Sequence, residues 1–182
     1  YPGCNLLAMP RLATGTLFER LPVWGDWELC CGEMYFRMGL LDPVAKTAEK
    51  LTAFYRGKAI EEMVFICPAG YNMFTNVLPQ QFGAEFSFQT TFFTDWLLQE
   101  LERGTFRLKK ALKRSAVMHD SCHARVLGAD FMETQRQLLA LLGVTVRETE
   151  YNRAQGLCCG GAAACNRYSV KDLVINGMKA LL

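Results

Sequence analysis

The arrangement of its cysteines constrains this chain more than any other feature of the sequence. Cys30-Cys31-Gly32 and Cys158-Cys159-Gly160 are two copies of one motif in a chain that has 8 cysteines among 182 residues. Thirty-five residues separate Cys31 from Cys67, and thirty-five also separate Cys122 from Cys158. The repeated spacing indicates two similar modules, each of which brings its own set of thiols together.

Three interpretations of such a cysteine set compete. Buried free thiols are common in protein cores but would not explain the paired motif. Disulfides are possible, although adjacent cysteines rarely bridge each other and the sequence shows no secretory signal. Thiolates also bind zinc, copper(I) and iron–sulfur centres, and a glycine beside a ligand lets the backbone approach the inorganic atoms closely. We therefore favour a metal or cluster protein.

Composition narrows the class of protein further. A chain with 51% hydrophobic and 21% charged residues is typical of globular proteins and argues against disorder. The net charge of +2 gives no electrostatic reason to expect a nucleic-acid partner. No apolar run reaches the length of a membrane span, so we expect a cytoplasmic protein, associated with a membrane only through partner subunits. The opening Tyr1-Pro2-Gly3-Cys4 lacks an initiator Met, and we expect the chain to begin inside a longer protein.

Apolar patterning predicts an α/β fold of mostly parallel sheets flanked by helices. The predicted helices cover 42–55, 71–78, 94–104, 129–142 and 171–182, and the predicted buried strands cover 63–66, 115–118 and 144–146. Asp42 and Asp120 are expected to be helix N-caps, and a helix stop is expected near Pro79 and Gly83. Cys67 and Cys122 follow apolar runs, and functional groups gather beyond the carboxyl ends of parallel strands. The boundary between the two halves is expected near 83–93.

Several other residues have two interpretations. His119 and His123 flank Cys122 and could contact a cluster or handle protons, or could end the strand and pack the next helix. Cys165 could be an additional ligand or a passive thiol. The arginines near the cysteine loops could stabilise thiolates, or could be solvated surface residues; they are Arg37, Arg125, Arg153 and Arg167. A dense aromatic set fits either core packing or a docking surface; it comprises Phe82, Phe86, Phe88, Phe92, Phe93 and Trp96.

The ordered motifs resemble the cysteine-rich CCG domain. They run from Tyr-Pro-Gly-Cys4 through Cys30-Cys31-Gly32 and Cys67-Pro68 to His-Asp-Ser-Cys122-His and Cys158-Cys159-Gly160-Gly161. That domain occurs in the B subunit of heterodisulfide reductase, in the C subunit of anaerobic glycerol-3-phosphate dehydrogenase and in the iron–sulfur subunits of glycolate or lactate oxidation systems. The resemblance implies two tandem modules, 1–88 and 89–182, with the second cut short at its C-terminus. Where the family has a further cysteine after Cys67-Pro68, this chain reads Ala69-Gly70.

The resemblance also implies a function and a set of ligands. It predicts an iron–sulfur component of an oxidoreductase complex that transfers electrons and, as in heterodisulfide reductase, could cleave a disulfide at the second site. The cluster would be of 4Fe–4S type, including the non-cubane form, and the partners would be flavin or iron–sulfur subunits. The predicted ligands are Cys4, Cys30, Cys31 and Cys67 in the first module, and Cys122, Cys158 and Cys159 in the second. The alternative is a structural zinc or interaction domain, in which the four thiolates of the first module form one tetrahedral site.

Overall fold

The computed structural model of the protein describes residues 1–19, 21–160 and 170–181. The chain divides into two compact units, Tyr1–Trp96 and Leu97–Leu182. In the described part of each unit, helices flank a parallel sheet of two strands. This confirms the predicted fold class.

The first unit begins with short helices and then forms its sheet. Its helices are α1 (Gly3–Ala8), α2 (Thr16–Glu19), α3 (Glu33–Arg37), α4 (Leu41–Tyr55), α5 (Pro68–Asn72) and α6 (Leu78–Phe82), with 3₁₀ turns at Pro10–Ala13 and Trp27–Leu29. Its strands are β1 (Glu62–Phe65) and β2 (Gln89–Phe92). They pair in parallel from Glu62 opposite Gln89 to Phe65 opposite Phe92. The connection from β1 to β2 passes through α5 and α6, as a parallel pair requires.

Two helix boundaries in this unit differ from the prediction. Leu40, not Asp42, is the N-cap of α4, and Asp42 lies in the first turn, where a negative charge suits the helix dipole. The helix predicted over 71–78 continues through Pro79 to Phe82, and of the two residues expected near the stop it is Gly83, with a φ of 64°, that ends it. A π-helical turn, Met73–Val77, directly precedes α6. Pro79 therefore lies in the first turn of α6, where a missing backbone N–H is tolerated.

An aromatic cluster forms the core of the first unit. Phe74 lies at its centre and is 1% exposed. Its ring centroid is 4.8 to 6.5 Å from those of five other rings, namely Tyr1, Tyr55, Phe65, Phe86 and Phe88. Phe88, Phe92 and Trp96 are also buried, which favours core packing over a docking surface for these three residues.

The second unit repeats the parallel pairing. Helix α7 (Phe93–Glu102) leads into it from the first unit, and the later elements are β3 (Arg114–Met118), α8 (Cys122–Leu127), α9 (Ala129–Leu141), β4 (Val144–Glu148), a 3₁₀ turn at Arg153–Gln155, and α10 (Val170–Lys179). The strands pair from Arg114 opposite Val144 to Met118 opposite Glu148. The prediction that β3 is buried is wrong: Val117 is 55% exposed, because α9 packs on β4 and leaves β3 open in the described part of the unit.

Candidate functional site

Four of the predicted ligands lie in the first unit on loops that converge near the end of β1. Cys4 lies in α1, Cys30 and Cys31 connect a 3₁₀ turn to α3, and Cys67 is the N-cap of α5. Burial raises the pKa of the Cys67 thiol, and the negative charges of Cys4 and Glu33 raise it further. The pKa of Cys31 is raised mainly by its hydrogen bond with Cys30 and by burial, and to a smaller extent by the charge of Cys67. These mutual effects place the thiols of this unit in one neighbourhood.

Tyr1 connects these loops, a role that the sequence pattern did not reveal. Its ring packs on Phe65 and Phe74, with centroid distances of 5.4 and 5.1 Å. Its hydroxyl donates a hydrogen bond to the Leu29 carbonyl at 2.5 Å, one residue before Cys30. The ring therefore joins the segment of Cys4 to the segment of Cys30 across the aromatic core.

Two glycines allow the close packing of this site. Gly3 has a φ of 69°, and a Cβ at this position would lie 2.8 Å from Cβ of Cys67. Gly32 has a φ of 77° and caps α3, and a Cβ there would lie 3.2 Å from Cγ2 of Thr47 on α4. The glycine of the first Cys-Cys-Gly motif is thus required by backbone conformation and helix packing.

The adjacent thiols Cys30 and Cys31 differ in acidity. A hydrogen bond from Cys31 and a second from the Gly32 N–H lower the pKa of Cys30 to about 6, although burial opposes the shift. The same bond to Cys30 and near-complete burial raise the pKa of Cys31 well above its ordinary value. The hydrogen bond between the two thiols therefore favours the ionised form at Cys30 over the ionised form at Cys31. A thiolate is the form that binds a soft metal.

The second set of predicted ligands lies in the second unit. Cys122 is the first residue of α8, and the exposed Cys158 and Cys159 follow the 3₁₀ turn at Arg153–Gln155. The Gly160 N–H donates a hydrogen bond to Sγ of Cys158 at 3.4 Å. His119 follows β3, and both of its ring nitrogens are buried without a hydrogen-bond partner. Cys165 and Arg167 lie outside the described residues.

Asp120 is not the helix N-cap that the sequence predicted. Ser121 has that role, because its Oγ accepts a hydrogen bond from the Ala124 N–H at 3.2 Å. Asp120 is 2% exposed, and its carboxylate accepts two hydrogen bonds from Arg136, at 2.9 and 2.6 Å. Burial opposes ionisation, yet the hydrogen bonds from Arg136 and Arg153 hold the pKa of Asp120 below its ordinary value.

The described cysteines are not joined by disulfides. Seven cysteines lie in the described part of the chain, and none of them forms a disulfide there. Within residues 1–19, 21–160 and 170–181, no three Cys, His, Asp or Glu side chains stand in an arrangement that would hold a metal ion. The donor chemistry suits a soft metal, whereas the side chains as they stand do not form a closed coordination shell.

A cavity of about 510 Å³ also lies in the first unit. Its walls include Phe18, Trp24 and Phe93, and it reaches Ile66, the residue before Cys67. Cavities of this size with mostly apolar walls accept small organic molecules.

Comparison with known proteins agrees with these motifs. Residues 116–180 match the family model described as a cysteine-rich domain, CCG. Over 138 residues the chain is 28% identical to the probable iron-sulfur-binding oxidoreductase FadF of Bacillus subtilis, an alignment that covers 76% of this chain and 19% of FadF. It is 25% identical over 181 residues to the D subunit of dihydromethanophenazine:CoB–CoM heterodisulfide reductase of Methanosarcina barkeri, covering 95% of this chain and 44% of that subunit. The corresponding subunit of Methanosarcina acetivorans is 23% identical over 183 residues, covering 96% and 44%.

The alignments cover only part of each relative. The chain spans less than half the length of each of these relatives. The heterodisulfide reductase relatives are D subunits, whereas the motifs had suggested the B subunit. No solved structure matches significantly. Among the described residues, no helix has the length and apolar character needed to cross a membrane. Residues 116–180 thus match the cysteine-rich CCG domain, and the paired motifs of the chain are similar to those of that family.

Proposed function

We propose that this chain binds iron–sulfur clusters at two cysteine sites and transfers electrons within an oxidoreductase complex. The observation that carries the proposal is the convergence of the Cys4, Cys30–Cys31 and Cys67 loops around Tyr1 in the first unit. The names of the relatives support it, since one is an iron-sulfur-binding oxidoreductase and two are heterodisulfide reductase subunits.

In the first site, Cys4, Cys30, Cys31 and Cys67 would be the ligands. A bound cluster would supply one-electron redox chemistry, with a potential set by its ligands, by hydrogen bonds to sulfur and by burial. The protein contributes a Cys30 thiol whose pKa is lowered, and backbone N–H groups of Ala69 and Gly70 that hydrogen-bond the Cys67 sulfur. Such donors stabilise negative charge on sulfur. The burial of Cys31 excludes water from one side of the site.

In the second site, Cys122, Cys158 and Cys159 would be the ligands. Disulfide reduction is the finer function, supported by the heterodisulfide reductase subunits among the relatives. The partners would be flavin or iron–sulfur subunits that deliver or accept the electrons. The predicted modules, 1–88 and 89–182, would each carry one of these sites.

Zinc is the second candidate for the first site. Four thiolates match the ligand set of a structural zinc centre, and this unit lacks a cysteine after Cys67-Pro68. A zinc ion would stabilise the fold without transferring electrons. The two candidates differ in colour, in iron content and in response to a reductant.

Anaerobic purification tests the proposal. We expect a brown protein that contains iron and acid-labile sulfide, and whose visible absorption is bleached by dithionite and restored by mild oxidation. Replacing Cys30, Cys31 and Cys67 by Ser should remove the iron of the first site, and replacing Cys158 and Cys159 should remove that of the second. A colourless protein with stoichiometric zinc and no iron would contradict the redox function.

A further inference from the structure

Two cysteine-bearing segments of the second unit meet at Asp120. The Arg153 N–H donates a hydrogen bond to Oδ2 of Asp120 at 2.6 Å. Gly156 packs so closely that a Cβ at its position would lie 2.9 Å from the Asp120 carbonyl oxygen. Cys122 lies two residues after Asp120, and Cys158 lies two residues after Gly156. Two residues of extended chain span at most about 7 Å, so both thiols lie within a short reach of this contact.

Arg136 on α9 holds the contact in place. Its Nε and Nη2 donate hydrogen bonds to the Glu148 carboxylate at 2.7 and 2.8 Å, and its Nη1 and Nη2 donate to Asp120 at 2.9 and 2.6 Å. Nη1 also donates to the Met132 carbonyl at 3.1 Å. All five N–H donors of the guanidinium are therefore used, in a residue that is 8% exposed. A lysine could not bridge two carboxylates in this way, because it lacks the planar fork.

The backbone at Arg153 shows that the contact fixes a specific conformation. Arg153 has a φ of 52°, a left-handed conformation that costs energy in a residue with a side chain. Its N–H is bound to Asp120, and its guanidinium pairs with Glu133 and Glu148. The turn that leads to Cys158 is thus held both by the backbone N–H of Arg153 and by its side chain.

We infer that Arg136 is a positioning residue for the second cysteine site. It fixes Asp120, and Asp120 in turn fixes the turn at Arg153–Gly156, so that Cys122 is kept within reach of Cys158 and Cys159. The inference rests on the proposed function for what the site does. What it states about the structure is the distance between the thiols. It assigns a role to a buried charged network of which only Asp120 belongs to a cysteine motif.

Thiol cross-linking in metal-free protein tests this inference. Dibromobimane joins two thiols that lie a few ångströms apart, and peptide mapping by mass spectrometry identifies the joined pair. We expect Cys122 to be joined to Cys158 or Cys159 in the unmodified sequence. Arg136→Met should lower that yield by about tenfold, which corresponds to ~1.4 kcal/mol. Arg147→Met is the matched control, because Arg147 is an exposed arginine on β4, and its yield should be unchanged.

Two further measurements separate positioning from general unfolding. Cross-linking among the thiols of the first unit, measured in the same sample, should be unaffected by Arg136→Met. Gly156→Ala leaves every charge in place but inserts a methyl group against the Asp120 carbonyl oxygen, and it should lower the Cys122 yield as well. If Arg136→Met does not fold, the Cys122 cross-linking yield of Gly156→Ala alone tests the inference.

Each outcome is decisive. Equal yields in the unmodified protein, Arg136→Met and Gly156→Ala would overturn the inference, and so would the absence of a Cys122 cross-link in the unmodified protein. A protein that shows the expected cross-links but binds no iron would support the positioning role and contradict only the proposed function.

Discussion

Replacing Gly3 by alanine tests whether the first site depends on the contact between the segments of Cys4 and Cys67. The added Cβ would lie 2.8 Å from Cβ of Cys67. Ordinary carbon–carbon contacts are about 3.5–4.0 Å, so the two segments must separate by roughly 1 Å. Metal sites tolerate only about 0.5 Å of displacement in their ligands. The variant should therefore lose metal at the first site.

The expected cost in stability has two parts. A left-handed φ costs a non-glycine residue about 1–2 kcal/mol, and overpacking in a buried site adds about 1–3 kcal/mol. Gly39→Ala is the matched control, because Gly39 has a φ of 73° but no atom within 4 Å of its would-be Cβ. It should show the conformational cost alone and retain the metal.

Urea unfolding and metal analysis of the two variants provide the assay. We expect Gly3→Ala to be the less stable of the two by about 1–3 kcal/mol and to lose the metal of the first unit. Equal stability and equal metal content in the two variants would refute the reasoning, because they would show that the contact with Cys67 does not constrain the site.

Three other predictions follow from the core, the buried charges and the proposed metal. Phe74→Ala should destabilise the first unit by about 3–5 kcal/mol in urea unfolding, and Phe54→Ala, at a residue that is 36% exposed, should cost much less. Hydrogen bonds from Arg136 lower the pKa of Glu148 in the folded state, so its stabilisation is present at neutral pH and is lost as pH falls through that lowered pKa. Thermal unfolding between pH 7 and pH 3 should therefore depend less on pH in Glu148→Gln, and identical profiles would contradict this. Removing the metal with a chelator should lower the unfolding temperature, because a ligand that binds only the folded state stabilises it; an unchanged temperature would argue against metal in either unit.

The sequence predicted the elements that carry strong local patterns. β1, β3 and β4 lie within about two residues of the apolar runs that indicated them, and α9 begins at its predicted residue. The position of Cys67 after β1 and of Cys122 after β3 also follows from these runs. Local patterns of this kind depend only on neighbouring residues, which is why one sequence reveals them.

Strand β2 was missed because its residues carry little local signal. Gln89-Thr90-Thr91-Phe92 contains no apolar run, and the strand exists because β1 lies beside it. The predicted boundary region, 83–93, contains this strand, whereas the first compact unit extends to Trp96. β3 was predicted correctly in position but not in burial, since burial depends on which helices cover the sheet.

The residues that organise the two sites depend on contacts between distant parts of the chain. Tyr1 contacts Leu29 and Phe74, Gly3 packs against Cys67, and Arg136 donates hydrogen bonds to Asp120. A tyrosine, a glycine and an arginine are each common in sequences, and none of them signals its partner. The cysteines were predictable because their repeated motif is rare.

The iron content of each cysteine site tests the account most directly. Protein grown with ⁵⁷Fe and purified without oxygen would be examined by Mössbauer spectroscopy, alongside variants in which the cysteines of one site are replaced by serine. We predict that the unmodified protein shows cluster-type iron bound to sulfur. Each variant should lose the iron of the site whose cysteines are replaced. Iron that is absent, or that is unchanged when Cys30, Cys31 and Cys67 or Cys122, Cys158 and Cys159 are replaced, would contradict the account.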